Sequence, residues 1–243
     1  MSAGLAACGY DVRIGTPTRV DQETVYLSWN RYSEWHDTCT RVELAGGRAI
    51  VAENGYIGGR LDGGDYYALA LGAHNGRGKW PVGGRERWDA LGIELKPWRT
   101  SGGHVLVAAN RSFGQPGGVM PPCWPRDVKT RLEKLTQREV RIRPHPGNNK
   151  PQIPLERDFE NCWAVCIWSS SVGVKALIAG VPVISESPFW ICKGAADRNI
   201  ECVEKIDDRG GLLTREEALQ RLAWGQWNLT EISSGEAFRQ LLQ

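Results

Sequence analysis

The sequence predicts an α/β protein made of two Rossmann-like halves with parallel sheets, and three observations favour this fold class. Short apolar runs alternate with helix-like stretches along the chain. No hairpin signal joins neighbouring runs, so helical crossovers between parallel strands are the expected connections. The pattern stops in an irregular segment at 58–102, rich in Gly, Arg and Trp, and starts again at His104. We therefore predict an N-terminal lobe over 1–101 and a C-terminal lobe over 102–243.

The individual strands and helices are predicted from the apolar runs and from the residues that begin or end each of them. Pro125 precedes a helical stretch, and Thr214 with Glu217 three residues later forms a capping box at the start of a late helix. The predicted strands are 25–29, 48–52, 104–109, 140–143, 163–168 and 181–185. The predicted helices lie within 31–45, 126–137, 155–161, 172–179 and 214–224.

Composition excludes several classes of protein. The chain has 243 residues, a formal net charge of +2 and 41% hydrophobic residues, which is typical of a soluble globular protein. No apolar run reaches the roughly 18 residues of a membrane span, and the first residues lack the basic start of a signal peptide. Seven cysteines without a repeated spacing predict free thiols rather than a disulfide framework or a zinc site, and hence a cytoplasmic protein.

Four predicted strands end in polar residues, which is where ligands bind in open α/β sheets. Glu53, in the run Glu-Asn-Gly, could serve as a general base or could simply be a turn residue. His145 stands between two prolines beside Arg143, which suits an anionic ligand or a leaving group to be protonated. The segment 110–118 offers amide, hydroxyl and guanidinium groups for a sugar or phosphate, or is a flexible connector.

The fourth strand end is the run Ser169-Ser170-Ser171, which opens a helix. Free backbone N–H groups at a helix N-terminus bind anions, and serine hydroxyls add donors. The alternative for Ser170 or Ser171 is a plain N-cap. The order of residues matches neither a Walker A loop nor a nucleophile elbow.

Two segments carry positive charge. Residues 126–150 have eight Lys and Arg against three Asp and Glu, an excess of five. Segment 77–99 mixes Arg with Trp, as nucleic-acid and sugar surfaces do. The first segment is equally compatible with a solvated helix face.

Taken in order, the Glu-Asn-Gly, His-Pro and Ser-Ser motifs resemble those of bacterial sialyltransferases and of the capsule-polysaccharide Kdo transferases, which have the GT-B fold. AIVAENGYIGG and WSSSVGVKALIAGVPVI are similar to segments of the capsule family. The stretch from HVLVAANRSFGQPGG to RIRPHPG looks like small phage- and prophage-carried relatives. Asn54 and Lys175 depart from the pattern, because each stands where the family has an acid.

The resemblance implies a glycosyltransferase that uses a UDP- or CMP-linked nucleotide-sugar, without a cofactor and without a metal. Glu53 would take the acceptor proton, and His145 would contact the donor phosphate and protonate the leaving group. The implied donor-binding residues are Asn110, Arg111, Ser112, Gln115, Arg143, His145, Ser169, Ser170, Ser171 and Glu186. The implied acceptor-binding residues are Tyr56, Arg77, Trp80, Arg85 and Trp88.

The acceptor stays open at this stage. A hydroxymethylated pyrimidine in phage DNA fits the phage-like resemblance and the basic segments, and a surface or capsule glycan is the alternative. The expected location is the cytoplasm of a bacterial or phage-infected cell. A non-catalytic nucleotide-binding protein is the third reading.

Overall fold

The computed structural model describes residues 1–59, 64–147, 153–196, 199–205 and 213–243. The chain divides into two compact units. Unit 1 comprises 1–87, 114–116 and 220–243, and unit 2 comprises 88–113 and 117–219. The chain passes between the units at 87/88, 113/114, 116/117 and 219/220, and the first and last of these points lie inside helices.

The described part of the chain alternates strands and helices, as the sequence predicts. The strands are β1 (Val25–Trp29), β2 (Arg48–Asn54), β3 (Tyr66–Leu71), β4 (His104–Ala108), β5 (Glu139–Arg143), β6 (Cys162–Ile167), β7 (Val183–Ser185) and β8 (Gln226–Asn228). The helices are α1 (Ser2–Ala7), α2 (Ser33–Leu44), α3 (Glu86–Ala90), α4 (Trp124–Leu135), α5 (Leu155–Phe159), α6 (Ser171–Ile178), α7 (Arg215–Ala223), α8 (Leu229–Ser233) and α9 (Glu236–Leu241).

Unit 2 contains the parallel sheet that the sequence predicts, in the order β5-β4-β6-β7. Every residue of β4 and β6 is buried. Continuous apolar strands of this kind belong to sheets covered on both faces, which explains why they are recognisable in the sequence. Trp124, Val128 and Leu132 recur at helical spacing in α4 and pack on this sheet.

Unit 1 contains a mixed sheet in the order β1-β2-β3-β8. Only β1 and β2 are parallel, and β3 pairs antiparallel with both β2 and β8. The expectation of parallel sheets therefore holds for unit 2 and for one strand pair of unit 1. Strand β3 lies inside the irregular segment 58–102, where none of the predicted strands falls, because its short apolar run stands among glycines.

The terminal segments of the chain build one face of unit 1. Helix α1 packs on α8 and α9, and Phe238 and Trp227 are fully buried beside Ile50 and Leu69 of the sheet. The predicted lobe 102–243 included residues 220–243, whereas in the structure these residues belong to unit 1. The difference arises because β8 pairs with β3, a strand about 160 residues earlier that the sequence did not reveal.

The predicted helix signals and free thiols are confirmed. At α7, the Thr214 hydroxyl accepts from the Glu217 N–H at 3.2 Å and the Glu217 carboxylate accepts from the Thr214 N–H at 2.8 Å, which is the predicted capping box. All seven cysteines are free thiols. Within the described ranges, no helix combines the length and the apolar character needed to cross a bilayer.

Candidate functional site

The carboxyl edge of the unit 2 sheet contains its topological switch point. The chain leaves β4 for β5 on one side, and then crosses back to β6 on the other side. Crevices at such points are the usual ligand sites of open parallel sheets. The loops that follow β4 and β6 carry Asn110 and Ser169, two residues predicted to bind the donor.

Asn110 and Ser169 form a reciprocal pair of hydrogen bonds. The Asn110 side-chain amide donates to the Ser169 hydroxyl at 3.4 Å, and its oxygen accepts from the Ser169 backbone N–H at 3.3 Å. One side chain thus fixes both the hydroxyl and the backbone at the start of the serine run. The pair joins two segments that are 59 residues apart in sequence.

The other two serines differ in their surroundings. Ser170 is the N-cap of α6, because its hydroxyl accepts from the Val172 N–H at 3.2 Å, and the residue is only 8% exposed. Ser171 is the first residue of the helix and is exposed. The capping alternative therefore describes Ser170, and Ser169 and Ser171 flank it at the positive end of the helix dipole.

His145 is held in one tautomer by the turn that follows it. Its Nδ1 accepts from the Gly147 N–H at 2.9 Å, so the neutral ring carries its proton on Nε2. Arg111, from the loop after β4, donates to the carbonyl of the same Gly147 at 2.6 Å. Burial, and then the Arg111 charge, lower the pKa of His145 below its ordinary value. His145 is therefore a neutral Nε2–H donor at neutral pH.

Arg143 and Glu186, predicted to bind the donor, make internal contacts instead. The Arg143 guanidinium pairs with Asp158 and donates to the carbonyl of Ile153, and its side chain is 12% exposed. The Glu186 carboxylate accepts from Trp124 Nε1 at 2.8 Å and from Arg131 at 2.7 Å. These are the contacts of structural groups, and we do not include Arg143 or Glu186 in the proposed site.

Two further predicted donor residues lie in the loop after β4. Ser112 is exposed, whereas Gln115 is half-buried and belongs, with 114–116, to unit 1. The other predicted donor residues belong to unit 2. The unit 2 cluster that the structure brings together consists of Asn110, Arg111, His145, Ser169 and Ser171.

Glu53 lies at the carboxyl end of β2 in unit 1, as predicted, and is half-buried. Asn30 directly follows β1, the parallel neighbour of β2. In the amide orientation in which the Asn30 oxygen accepts from Trp29 Nε1, at 3.1 Å, the Asn30 amide nitrogen donates to the Glu53 carboxylate. Asn30 is not among the site residues predicted from the sequence. Its signal is an Asn directly after a strand, a residue that tolerates the left-handed backbone it adopts there, with φ of 68°.

The loop after Glu53 is fixed by buried groups. A Cβ atom on Gly55 would lie 2.8 Å from the carbonyl oxygen of Tyr66, so this position of the Glu-Asn-Gly run requires glycine. Gln226, 1% exposed, accepts from the Ile57 N–H at 3.0 Å and donates to the Ile57 carbonyl at 3.1 Å. The Tyr56 hydroxyl accepts from the Asn75 N–H at 3.0 Å. Residues 55–57 therefore hold a defined backbone next to Glu53.

The predicted acceptor residues do not form one surface. Tyr56 is 9% exposed and Trp88 is 7% exposed, so both rings lie in the interior rather than on a stacking face. Trp80 packs partly against the core of unit 1, and Arg77 donates to the Pro116 carbonyl at 2.6 Å. Arg85 is exposed. Several Arg and Trp side chains of 77–99 thus pack inside the protein and are not exposed for an acceptor to contact.

The positive charge of segment 126–150 is largely paired. Of the seven Lys and Arg that the structure describes there, five make ion pairs, and three of the partner acids lie outside the segment. The pairs are Lys129–Glu133, Arg131–Glu186, Arg138–Glu204, Arg141–Glu139 and Arg143–Asp158. The excess of five charges counted in the sequence is therefore not an unpaired basic face.

Metal-ligating side chains do not cluster in the described ranges: no group of three or more His, Cys, Asp or Glu there could hold a metal ion. The expected metal independence stays a prediction.

Comparison with known proteins gives matches at the level of structure. No protein-family model matches the sequence, and no curated protein matches it. One solved structure similar to this chain is KpsC of Thermosulfurimonas dismutans, described as a beta Kdo 2,7 transferase, with a TM-score of 0.51 and 17% identity over 90% of this chain and 84% of that one. Another is KpsC of the same organism, described as a beta Kdo 2,4 transferase, with a TM-score of 0.55 and 13% identity over 85% of each chain. The chain therefore has the α/β fold predicted for it, with two Rossmann-like units as in GT-B proteins.

Proposed function

We propose that this protein is a glycosyltransferase that moves a sugar from a nucleotide-sugar to a hydroxyl acceptor. The observation that carries the proposal is the reciprocal Asn110–Ser169 pair at the switch point of the unit 2 sheet, beside the N-terminus of α6. The fold shared with two Kdo transferases supports the same reading, since both neighbours are sugar transferases by description.

Unit 2 binds the donor in this proposal. The helix N-terminus and the hydroxyls of Ser169 and Ser171 stabilise the phosphate through backbone N–H and O–H donors. His145 donates from Nε2 to a phosphate oxygen, which its fixed tautomer favours. Arg111 acts through Gly147 by holding the turn on which the tautomer depends.

Glu53 of unit 1 is the proposed general base. The acceptor oxygen forms a bond to the anomeric carbon, the bond from that carbon to the phosphate oxygen breaks, and the hydroxyl proton passes to the Glu53 carboxylate. The negative charge that develops on the leaving phosphate is stabilised by His145 and the helix dipole.

We propose a glycan hydroxyl as the acceptor. The described neighbours are Kdo transferases, and CMP-linked Kdo is the first donor to test for that reason. The DNA acceptor predicted from the sequence depended on the basic segments, and the ion pairs in 126–150 and the burial of Trp88 weigh against it.

We also propose that transfer needs no divalent metal, because the helix N-terminus and the His145 donor supply positive potential at the phosphate. Transfer is expected to persist in excess EDTA. Loss of transfer in EDTA that Mn²⁺ restores would overturn this part of the proposal.

The experiment that tests the function separates donor binding from transfer. A panel of UDP- and CMP-linked sugars, including CMP-linked Kdo, is titrated against the wild type by calorimetry, and transfer to glycan acceptors is followed by mass spectrometry. Glu53→Gln is expected to lower kcat by about 10²–10⁴-fold and to keep donor affinity. Ser169→Ala is expected to weaken donor binding by about ten- to a hundredfold through a lost hydrogen bond to a charged phosphate.

The matched controls are Glu133→Gln and Ser101→Ala, which change the same residue types at exposed positions. Both are expected to keep donor affinity and kcat. If the wild type binds a nucleotide-sugar of the panel but transfers no sugar, the non-catalytic nucleotide-binding reading replaces the proposed function.

A further inference from the structure

The two parallel strands of unit 1 place Asn30 beside Glu53. Trp29, the last residue of β1, pairs with Ala52 of β2, so the residue that follows β1 stands next to the carboxyl end of β2. The Asn30 N–H donates to the Ala52 carbonyl at 2.9 Å, and its own carbonyl accepts from the Ser28 hydroxyl at 2.8 Å. The backbone of Asn30 is therefore fixed from both sides.

The side chain of Asn30 is oriented by its neighbour in sequence. The indole nitrogen of Trp29 can only donate, so the Asn30 oxygen must face it, at 3.1 Å. The amide nitrogen of Asn30 then points to the Glu53 carboxylate and donates to it. The Asn30 amide is an uncharged donor, and the ionised Glu53 carboxylate can accept hydrogen bonds but cannot donate them.

The backbone conformation narrows which residue can do this. With φ of 68°, the position favours Gly, Asn or Asp. Gly has no side chain, and an ionised Asp would present oxygen to a second carboxylate. Asn accommodates the backbone and still donates a hydrogen bond.

We propose that Asn30 is a positioning residue for Glu53: its amide fixes the carboxylate in the orientation from which it accepts the acceptor's proton. The inference rests on the proposed function, in which Glu53 is the base. Asn30 itself touches neither sugar in this proposal and acts through Glu53.

The first test is kinetic. Asn30→Gly removes the side chain and keeps the left-handed backbone, so it should fold and lower kcat by about 10²-fold through misplacement of the base. The KM for the acceptor and the Kd for the donor should stay within about twofold. Asn30→Asp, nearly the same size, should lose at least as much, because it places two carboxylates together.

Asn161→Gly is the matched control, since Asn161 also has a left-handed backbone, with φ of 54°, and lies in unit 2 before the first residue of β6, at the opposite end of that strand from Ser169. It should share any stability cost and keep kcat. An Asn30→Gly variant that is folded and retains wild-type kcat would overturn the inference while leaving the proposed function intact.

The second test does not need activity. The side-chain amide signals of Asn30, assigned by their absence in Asn30→Gly, should shift in the ¹H–¹⁵N spectrum of Glu53→Gln. Signals that do not respond to Glu53→Gln overturn the inference. A wild type that transfers no sugar from the panel, with amide signals that do respond, overturns the proposed function but supports the contact between Asn30 and Glu53.

Discussion

His145 shows how far a single residue can be interpreted from sequence. Two flanking prolines and a strand end are enough to single it out. Which ring nitrogen faces the ligand depends on the turn at Gly147, which closes back on Nδ1 at 2.9 Å. The tautomer is a property of a backbone conformation that the residues around His145 do not reveal.

The Arg111 charge makes a testable contribution to this histidine. Arg111 lowers the pKa of His145 in addition to the effect of burial, so Arg111→Gln should raise that pKa. NMR titration of the imidazole protons measures the change directly, because the chain has only four histidines. Arg126→Gln, an exposed arginine of α4, is the control and should leave the titration unchanged. An unmoved His145 pKa in Arg111→Gln would contradict this account.

His74 predicts a pH dependence of stability. Burial, and then the Arg77 charge, lower its pKa to about 4, and its Nδ1 is buried without a hydrogen-bond partner among the residues that the structure describes. The unfolded chain, with a His pKa near ~6.5, then binds a proton that the folded chain does not between these two values. The contribution of His74 to the unfolding free energy is therefore complete above about pH 6.5. It decreases by about 3 kcal/mol as the pH drops towards 4.

The measurement is urea unfolding of the wild type and His74→Phe at pH 7 and at pH 4. The difference in unfolding free energy between the two pH values should be smaller in His74→Phe, because the titrating ring is gone. Equal pH-dependent losses in the two proteins would show that His74 is already solvated in the folded state.

Strands that pack on both faces are the elements that the sequence predicts well. The buried runs of β4 and β6 are apolar apart from His104, and their order with α4, α5 and α6 gives the parallel sheet of unit 2. Strand β3 is not predicted from the sequence because its position in the sheet depends on pairing with β2 and β8. Strand β8 has only three residues, too few for a recognisable strand pattern. Local pattern does not contain such non-local pairing.

Helix α6 has a second requirement besides its serines. A Cβ atom on Gly173 would lie 2.6 Å from Ile167 Cδ1 and 2.6 Å from Trp190 Cζ2. Gly173→Ala should therefore destabilise the protein by about 1–3 kcal/mol through overpacking, although alanine favours helices. Thermal unfolding measures the loss, and donor titration shows whether the displaced helix N-terminus also binds phosphate less well.

Trp190→Phe supplies the matched test. The Trp190 indole nitrogen is buried without a hydrogen-bond partner among the described residues, so a phenyl ring removes both an unsatisfied donor and one of the two atoms nearest the new methyl group. The double variant should recover part of the stability lost in Gly173→Ala, which a double-mutant cycle quantifies. Strict additivity of the two changes would mean that the clash is relieved elsewhere.

The discontinuous unit 1 marks the limit of prediction for the whole chain. The sequence indicates two α/β halves, and the structure has two. It does not indicate that residues 220–243 return to unit 1, since the contacts that bring them there, such as Gln226 with Ile57, span 169 residues. The same return holds Ile57 through Gln226, so the backbone close to Glu53 in unit 1 depends on residues 220–243.

Net charge and its pairing predict how the protein behaves towards nucleic acid. The formal charge is +2, and five of the seven described cations of 126–150 are in ion pairs, so this segment offers few groups to displace counterions from DNA. Each phosphate neutralised adds about −0.9 to the slope of log K against log salt. We expect double-stranded DNA to bind weakly at low salt, with a slope shallower than about −2, which corresponds to roughly two phosphates.

Titration of fluorescent duplex DNA between low and moderate salt checks this expectation, and Arg126→Ala with Lys134→Ala is the informative variant. Both side chains are exposed on α4 and make no ion pair with the described residues, so they should account for most of the weak binding. A slope of about −4 or steeper in the wild type would require a continuous phosphate-binding surface, which the paired charges do not provide. That outcome would restore DNA as the acceptor and displace the glycan, because the same donor chemistry in unit 2 serves either hydroxyl.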